Sequence, residues 1–192
     1  DMDGVEFVNT FKGHADYYEG DIETGEVLET WLNTGKHDVI AAHFSGPDKV
    51  GHKWGILSEE YEDKMKDIDQ QLSRLLGLVP SNWTVVVTAD HGMTPSGSHG
   101  SAEADTRNVL AVITGPDVAV GRSQDSSAQL DLAAMMLYDL GLAFPSQVNG
   151  RVPLGVFNTP PAEKEIVSQW NWEARLARHL HFHPGDKDNL DV

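Results

Sequence analysis

DKVGH (residues 48–52) and ADHGMTPSGSHG (residues 89–100) are the two stretches that carry most of the information about the fold of this chain. Each follows an apolar run, Asp38 to Phe44 in the first case and Thr84 to Thr88 in the second. Continuous apolar runs of this length predict strands that are buried on both faces of a sheet. Ser45-Gly46-Pro47 would end the first strand, and the polar residues of both stretches would then lie in loops beyond the carboxyl ends of strands, where open α/β sheets bind their ligands.

Helical periodicity and turn residues organise much of the remaining chain. Ser58 is a predicted N-cap for a helix that runs to about Leu76, with Gly77 as its stop. The same patterns predict a helix from about Thr24 to Leu32, a strand from Val109 to Ile113 and a helix from Ala128 to Leu140. Strands of this kind interspersed with helices are typical of an α/β fold, in which helices cover both faces of a mostly parallel sheet.

The composition is that of a globular protein and argues against a nucleic-acid partner. The 192 residues are 40% hydrophobic and 23% charged, which is ordinary for a folded domain. The 14 Lys and Arg residues against 30 Asp and Glu residues give a formal charge of -16, which repels phosphate backbones. No local basic patch offsets this charge, so no nucleic-acid-binding surface is expected.

The sequence contains no long apolar segment. No run approaches the roughly 20 residues that a membrane-spanning helix needs. The start, Asp1 to Gly4, has neither the charge nor the apolar stretch of a signal peptide. A chain without an initiator methionine at position 1 is compatible with a processed protein or with a piece of a longer one.

Two aspartates and three histidines in the opening stretches have the side chains that hold divalent metals of the zinc class. They are Asp48, His52, Asp90, His91 and His99. Because the chain has no cysteine, any metal must be held by histidine and carboxylate. Taken singly, each residue also fits a solvated loop or a local turn hydrogen bond. Their joint placement, at two strand ends and in the adjoining glycine-rich loop, favours a shared metal site.

His43 and a group of three histidines near the C-terminus are not interpreted as metal ligands. His43 ends the first predicted strand and is interpreted as a packed histidine or as one that orients a carboxylate ligand from outside the ligand set. His179, His181 and His183 alternate near the C-terminus, where a solvent-exposed tail is favoured over a metal-binding tract.

The two motifs resemble those of the alkaline phosphatase superfamily. The similarity lies in residues 43–55 (HFSGPDKVGHKWG) and 89–100, and extends over about residues 38 to 157. It is nearest to the lumenal domain of glycosylphosphatidylinositol (GPI) ethanolamine phosphate transferases and to nucleotide pyrophosphatase/phosphodiesterases. It implies that residues 1–157 are the C-terminal portion of an alkaline-phosphatase-like catalytic domain. A C-terminal helix and acidic tail over residues 158–192 would pack on or beside it.

The resemblance also implies two zinc ions and a division of their ligands. One zinc would be held by Asp48, His52 and His99, and the other by Asp90 and His91. In the family the second metal also takes an upstream aspartate and the Ser or Thr nucleophile. Residues 1–37 contain no region that resembles this nucleophile turn, so we expect the nucleophile outside this chain, in an upstream segment or a companion chain.

The activity implied is phosphoryl or phosphodiester transfer through a covalent Ser or Thr intermediate. The substrate would be a phosphodiester or a phospholipid-derived group, with phosphoethanolamine transfer to a GPI glycan as one form. Nucleotide pyrophosphatase/phosphodiesterase or phosphomutase activity remains an alternative, as does an inactive, metal-stabilised binding module. The resemblance implies an extracytoplasmic location, either the lumen of the endoplasmic reticulum or the secreted space.

Overall fold

The computed structural model describes residues 4–10, 18–121, 127–142, 145, 148–158, 167 and 172–173. It divides into two compact units. Unit 1 comprises Asp1–Ser81 and Thr88–Ala111, and unit 2 comprises Asn82–Val87 and Val112–Val192. The elements in chain order are α1 (Glu19–Thr34), α2 (Gly46–Trp54), α3 (Glu59–Leu76), β1 (Val85–Thr88), α4 (Ala104–Arg107), β2 (Ala111–Thr114), α5 (Asp131–Asp139) and a 3-10 turn (Leu154–Val156).

Helix α3 confirms the predicted helix almost residue for residue. The Ser58 side chain caps it by accepting a hydrogen bond from the Tyr61 backbone N–H at 3.2 Å, and Gly77 is its C-cap. The first turn is acidic, which complements the positive end of the helix dipole. Ile68 and Leu75 are buried on the inner face, so the helix is held by both its cap and its apolar stripe.

Replacing the cap should weaken α3 measurably. We expect Ser58→Ala to lower the free energy of unfolding by about 1 kcal/mol, because one N-terminal N–H loses its acceptor. Chemical denaturation of the purified chain measures this loss. Ser73→Ala, at an exposed position inside the same helix, is the matched control and should change stability by less than about 0.5 kcal/mol. Equal effects of the two substitutions would contradict the capping role of Ser58.

Helix α1 packs closely on α3 within unit 1. The prediction of a helix over Thr24–Leu32 is confirmed, and the helix extends beyond it at both ends. A Cβ added to Gly25 would lie 2.9 Å from the Gln71 Oε1 atom of α3. Gly25 of α1 therefore lies against the end of the Gln71 side chain of α3. A hydrogen bond of 2.5 Å between the Thr10 and Thr24 hydroxyls attaches the preceding segment to α1.

The segment before α2 differs from its prediction. Residues 38–44 form no strand in the described structure, and Val39 is 42% exposed. An apolar run forms a buried strand only when neighbouring strands take up its backbone hydrogen bonds and other elements cover it. The apolar pattern predicts that the residues suit burial, but it does not supply those neighbours.

Asp48 and His52 lie in a helix, whereas the sequence predicted a loop. Ser45-Gly46-Pro47 was expected to end an element, but the same residues begin α2, with proline in its first turn. Proline is accepted there because the first N–H groups of a helix have no partner inside the helix. The prediction was therefore wrong about the secondary structure of the first motif.

Strands β1 and β2 form a two-stranded sheet. A Cβ on Gly115, just after β2, would lie 2.6 Å from Thr84 Oγ1, just before β1. The Thr88 hydroxyl, at the far end of β1, donates to the Leu110 carbonyl before β2. The two strands therefore run antiparallel. Strand β1 is partly buried and β2 is mostly exposed, in contrast to the fully buried strands predicted. Helices with this sheet are consistent with the α/β class, and the larger, mostly parallel sheet stays a prediction.

Unit 2 contains a hydrophobic core of its own. Helix α5 lies within the helix predicted for Ala128–Leu140 and contributes Ala134 and Met135. The other buried members of the core are Val152, Val156, Phe157 and Val167.

Most of the predicted C-terminal element lies outside the described residues. Val167, Trp172 and Glu173 are helical. The rest of the helix predicted over Glu165–Leu180, the acidic tail, and the histidines at 179, 181 and 183 fall where the structure is not described. None of the helices in the described ranges combines the length and apolar character that crossing a bilayer demands.

Candidate metal centre

Three segments of unit 1 position the predicted ligands. Asp48 and His52 are separated by one turn of α2 and so project from the same side of the helix. Asp90 and His91 come directly after β1, and His99 lies at the end of the loop that follows. The structure brings these five residues together.

The Asp48 carboxylate is the centre of the cluster. Its Oδ1 atom lies 3.3 Å from the Nε2 atom of His99. The corresponding distances are 3.5 Å to His52 and 3.9 Å to His91. Ligand atoms of Asp48, His91 and His99 all lie within 4.8 Å of one another. The rings of His91 and His99 are stacked with their centroids 3.9 Å apart.

Backbone carbonyls determine which nitrogen of two histidines faces Asp48. The Nδ1 atom of His52 lies 2.7 Å from the Gly97 carbonyl oxygen, and that of His91 lies 3.1 Å from the Gly92 carbonyl oxygen. A carbonyl only accepts, so each Nδ1 must carry the proton. In the neutral imidazole the Nε2 lone pair is then free for a metal, which is how histidine ligands are commonly oriented.

The donor set fits a divalent cation. Among the described residues, the buried Asp48 Oδ1 atom has no hydrogen-bond donor. The Nε2 atoms of His52 and His99 are 3.0 Å apart. Because the Gly97 carbonyl takes the Nδ1 proton of His52, its Nε2 lone pair faces His99 and can accept either a hydrogen bond from the His99 ring or a shared cation. Carboxylate oxygen and imidazole nitrogen are ligands that zinc accepts.

Asp90 connects His91 to His43. Its Oδ2 atom lies 3.6 Å from His91 Nε2 and 3.7 Å from His43 Nε2. His43 is 71% exposed and is the outermost member of the series. This exposure contradicts the prediction of a packed histidine, and a role of His43 in orienting the Asp90 carboxylate stays a prediction.

Two glycines allow the loop to approach α2. A Cβ on Gly97 would lie 2.0 Å from the Gly51 carbonyl oxygen, and Gly97 has a φ of +80°. A Cβ on Gly51 would lie 2.4 Å from the Met93 Sδ atom. The loop is also closed by a hydrogen bond of 2.8 Å from the Thr94 N–H to the Ser98 carbonyl. This close approach brings His99 to His52.

Tyr61 of α3 lies near the cluster. Burial, and to a smaller extent the negative charge of Asp48, raise the pKa of its hydroxyl above the ordinary value of 10.0. The phenol is therefore neutral at physiological pH.

The sequence motifs contain the side-chain ligands of this centre but do not identify its backbone members. The glycines at 92 and 97 were recognised only as loop residues, although their carbonyls orient two of the histidines. The contributions of Tyr61 and Met93 were also missed. Gly92 contacts its sequence neighbour His91, but no local pattern pairs Gly97 with His52, which lies 45 positions away.

Comparisons with known proteins agree with the motifs. Residues 5–122, more than half of the chain, match the model of the type I phosphodiesterase / nucleotide pyrophosphatase family. The chain is 30% identical over 166 residues to GPI ethanolamine phosphate transferase 1 of Aspergillus oryzae, an alignment that covers 72% of this chain and 16% of that protein. It is 29% identical over 195 residues to the enzyme of the same name from Yarrowia lipolytica, covering 87% of this chain and 21% of that protein.

A human relative has a similar level of sequence identity to the chain. The chain is 31% identical over 152 residues to the catalytic subunit of human GPI ethanolamine phosphate transferase 3, covering 79% of this chain and 11% of that protein. The chain thus spans about a fifth or less of the length of these relatives. No solved structure matches. From its matched residues and its metal-ligand motifs, the chain belongs to the type I phosphodiesterase / nucleotide pyrophosphatase family of the alkaline phosphatase superfamily.

Proposed function

We propose that this chain supplies the metal-binding part of a two-zinc centre for phosphodiester chemistry. The observation that carries the proposal is the buried Asp48 Oδ1 atom, which faces three imidazole Nε2 atoms and accepts no hydrogen bond from the described residues. Bound zinc would supply Lewis acidity, which lowers the pKa of an attacking hydroxyl and neutralises charge on the transferring phosphoryl group.

The proposed ligands divide into two sets. Asp48, His52 and His99 would hold one ion, since their ligand atoms lie between 3.0 and 3.5 Å from one another. Asp90 and His91 would hold the other, with the remaining ligands supplied from outside this chain. His91 lies between the two sets of ligands, because its Nε2 atom is also 3.9 Å from the Asp48 Oδ1 atom. The Gly97 and Gly92 carbonyls would keep the His52 and His91 rings in the metal-binding tautomer.

The Ser or Thr nucleophile is proposed to come from an upstream segment or a companion chain. Thr94 is a hydroxyl residue of the loop between His91 and His99; its Oγ1 atom accepts a hydrogen bond from the Ser98 N–H at 3.0 Å and bonds the Ser96 hydroxyl at 3.2 Å. It is engaged in closing the loop. Residues 38–44, which form no strand in the described structure, fit the same proposal, because a further strand would take up their backbone hydrogen bonds and build the mostly parallel sheet.

The proposed reaction is transfer of phosphoethanolamine to a GPI glycan, in the lumen of the endoplasmic reticulum. The names of the relatives support this transfer. The description of the family supports a second candidate, hydrolysis of a nucleotide phosphodiester. Both use the same covalent chemistry and differ in whether a glycan hydroxyl or water accepts the phosphoryl group.

Metal analysis tests the centre directly. We expect the purified chain to retain at least one zinc per molecule through gel filtration, measured by elemental emission, and to release it to a chelator. A chain that binds no zinc at micromolar concentration, while its circular dichroism shows it folded, would contradict the proposal.

Activity measurements distinguish the candidate reactions. In a protein that contains this chain and its upstream segment, we expect zinc-dependent transfer of phosphoethanolamine to a GPI-glycan acceptor, followed by mass spectrometry. Release of nucleoside monophosphate without transfer would favour the hydrolase. Zinc content with neither reaction would favour an inactive binding module. Residues 1–192 alone should not turn over an aryl phosphodiester, and turnover would show that the nucleophile lies within them.

A further inference from the structure

A fully buried ion pair joins the first and third helices of unit 1. The Lys64 Nζ atom of α3 lies 2.6 Å from the Asp21 Oδ2 atom of α1, and neither side chain is accessible to solvent. Buried charges of this kind are tolerated only when they compensate each other. The two residues therefore act as a unit, and neither belongs to the proposed ligand set.

Asp21 also contacts the start of α2. Its other carboxylate oxygen, Oδ1, accepts a hydrogen bond from the Gly46 backbone N–H at 3.2 Å. Gly46 is the first residue of α2, and the preceding Ser45 makes no capping hydrogen bond with its side chain. The first N–H groups of a helix need an acceptor, and a carboxylate also complements the positive end of the helix dipole. Asp21 therefore caps α2 from a different helix.

The surroundings of Lys64 hold this carboxylate in place. The Lys64 ammonium group is also 2.9 Å from the Asp67 Oδ2 atom and 4.2 Å from the centre of the Tyr18 ring. Gln71 donates a hydrogen bond of 3.1 Å to the same oxygen of Asp67. Two carboxylates and an aromatic face thus fix the ammonium group, and it in turn fixes the orientation of Asp21.

The start of α2 determines where two proposed ligands point. Asp48 lies in the first turn of α2, and His52 lies one turn further along. A helix of nine residues is too short to be stable by itself, so its ends and packing decide its position. Backbone hydrogen bonds link each residue of an α-helix to the residue four positions along, so a short helix moves as one unit. A small displacement of Gly46 therefore moves both ligands relative to His91 and His99.

We propose that the buried Asp21–Lys64 pair positions the metal-ligand helix α2 through the hydrogen bond from Gly46. This inference rests on the proposed function, because it takes α2 as the source of two zinc ligands. Asp21 and Lys64 are positioning residues and touch no metal. Their effect on the centre is exerted through the backbone of α2.

Two double substitutions separate positioning from stability. Asp21→Leu with Lys64→Met removes both charges and the acceptor for Gly46, whereas Asp21→Asn with Lys64→Met removes the charges and keeps an oxygen acceptor. Replacing both members of a buried pair generally preserves the fold. We expect the leucine version to lose at least about tenfold in affinity for Co²⁺, about 1.4 kcal/mol, and the asparagine version to stay within about threefold of the wild type.

The readout is a Co²⁺ titration followed in the visible spectrum, with thermal unfolding of the metal-free proteins alongside. Lys66→Met is the matched control, because Lys66 is an exposed lysine of the same helix that pairs only with Glu62 and Asp63 among the ion pairs described. Its Co²⁺ affinity should equal that of the wild type. Wild-type affinity in the leucine double variant would overturn the proposal.

Hydrogen exchange at the Gly46 amide provides a test without metal. In the wild type this amide should be protected, and in the leucine double variant it should exchange at least about tenfold faster than in the asparagine version. An unprotected Gly46 amide in the wild type would overturn the proposal even if the leucine variant failed to fold. A wild type that binds no Co²⁺ would contradict the proposed function, while Gly46 exchange would still decide whether Asp21 holds α2.

Discussion

Asp48→Ala is expected to abolish zinc binding by the chain while leaving it folded. Asp48 provides the only carboxylate oxygen that lies within 4 Å of His52, His91 and His99 among the described ion pairs. Its removal deletes a charged ligand and leaves the histidines without a common partner. Zinc affinity should therefore fall by more than about 100-fold, beyond the loss that follows from changing a residue that only orients a ligand.

Thermal unfolding with and without zinc provides the measurement. Zinc at about 100 times its dissociation constant should stabilise the wild type by about 2.7 kcal/mol and should leave Asp48→Ala unaffected. The metal-free variant should unfold within about 1 kcal/mol of the wild type, since the lost ion pairs are partly exposed. Asp69→Ala, at an exposed position of α3, is the control and should keep the full zinc response. A zinc response retained in Asp48→Ala would refute the centre.

Gly97→Ala is expected to be the most damaging small substitution in the loop that carries His99. The residue has a φ of +80°, and its added Cβ would meet the Gly51 carbonyl oxygen at 2.0 Å. Left-handed backbone costs an alanine about 1 to 2 kcal/mol, and here the contact with rigid backbone adds to it. The loop must then move away from α2. We expect a loss of more than about 2 kcal/mol in unfolding free energy, together with weaker zinc binding, because His99 separates from His52.

Gly100→Ala separates the two causes. Gly100 has a φ of +85°, but an added Cβ would meet no atom within 4 Å. Its substitution should therefore show the conformational cost alone, about 1 to 2 kcal/mol in chemical denaturation. The difference between the two variants measures the close approach of the loop to α2. Equal losses in stability and unchanged zinc affinity in both would mean that this approach does not build the centre.

The elements that were predicted correctly depend on local signals. Helix α3 has a capping serine, an acidic first turn and a periodic apolar stripe, and each of these acts within a few residues. The ligand residues were also predictable, because zinc accepts few side-chain types and the chain has no cysteine. The placement of both motifs after predicted strands also predicted that the ligand residues lie close together. In the structure, however, Asp48 and His52 of the first motif lie on helix α2.

The errors arise where long-range contacts decide the structure. The apolar run at residues 38–44 predicted a strand, but a strand also needs partners for its backbone groups. The residues Ser45 to Pro47 suit both a stop and a helix start, and the hydrogen bond from Gly46 to Asp21 accompanies the second outcome. Asp21 lies 25 positions before Gly46, and no sequence motif predicts this hydrogen bond.

The amino-acid sequence by itself determined the family, the chemical class of the ligands and the helices with strong local signals. Only the tertiary structure decided that Asp48 is central to the cluster, that the Gly97 carbonyl contacts His52, and that Asp21 pairs with Lys64 and accepts a hydrogen bond from Gly46. The physical reason is the range of the interactions. Side-chain chemistry and helix caps depend on residues that are close in sequence. Hydrogen bonds between separate segments and buried charge pairs form only after those distant segments have come into contact.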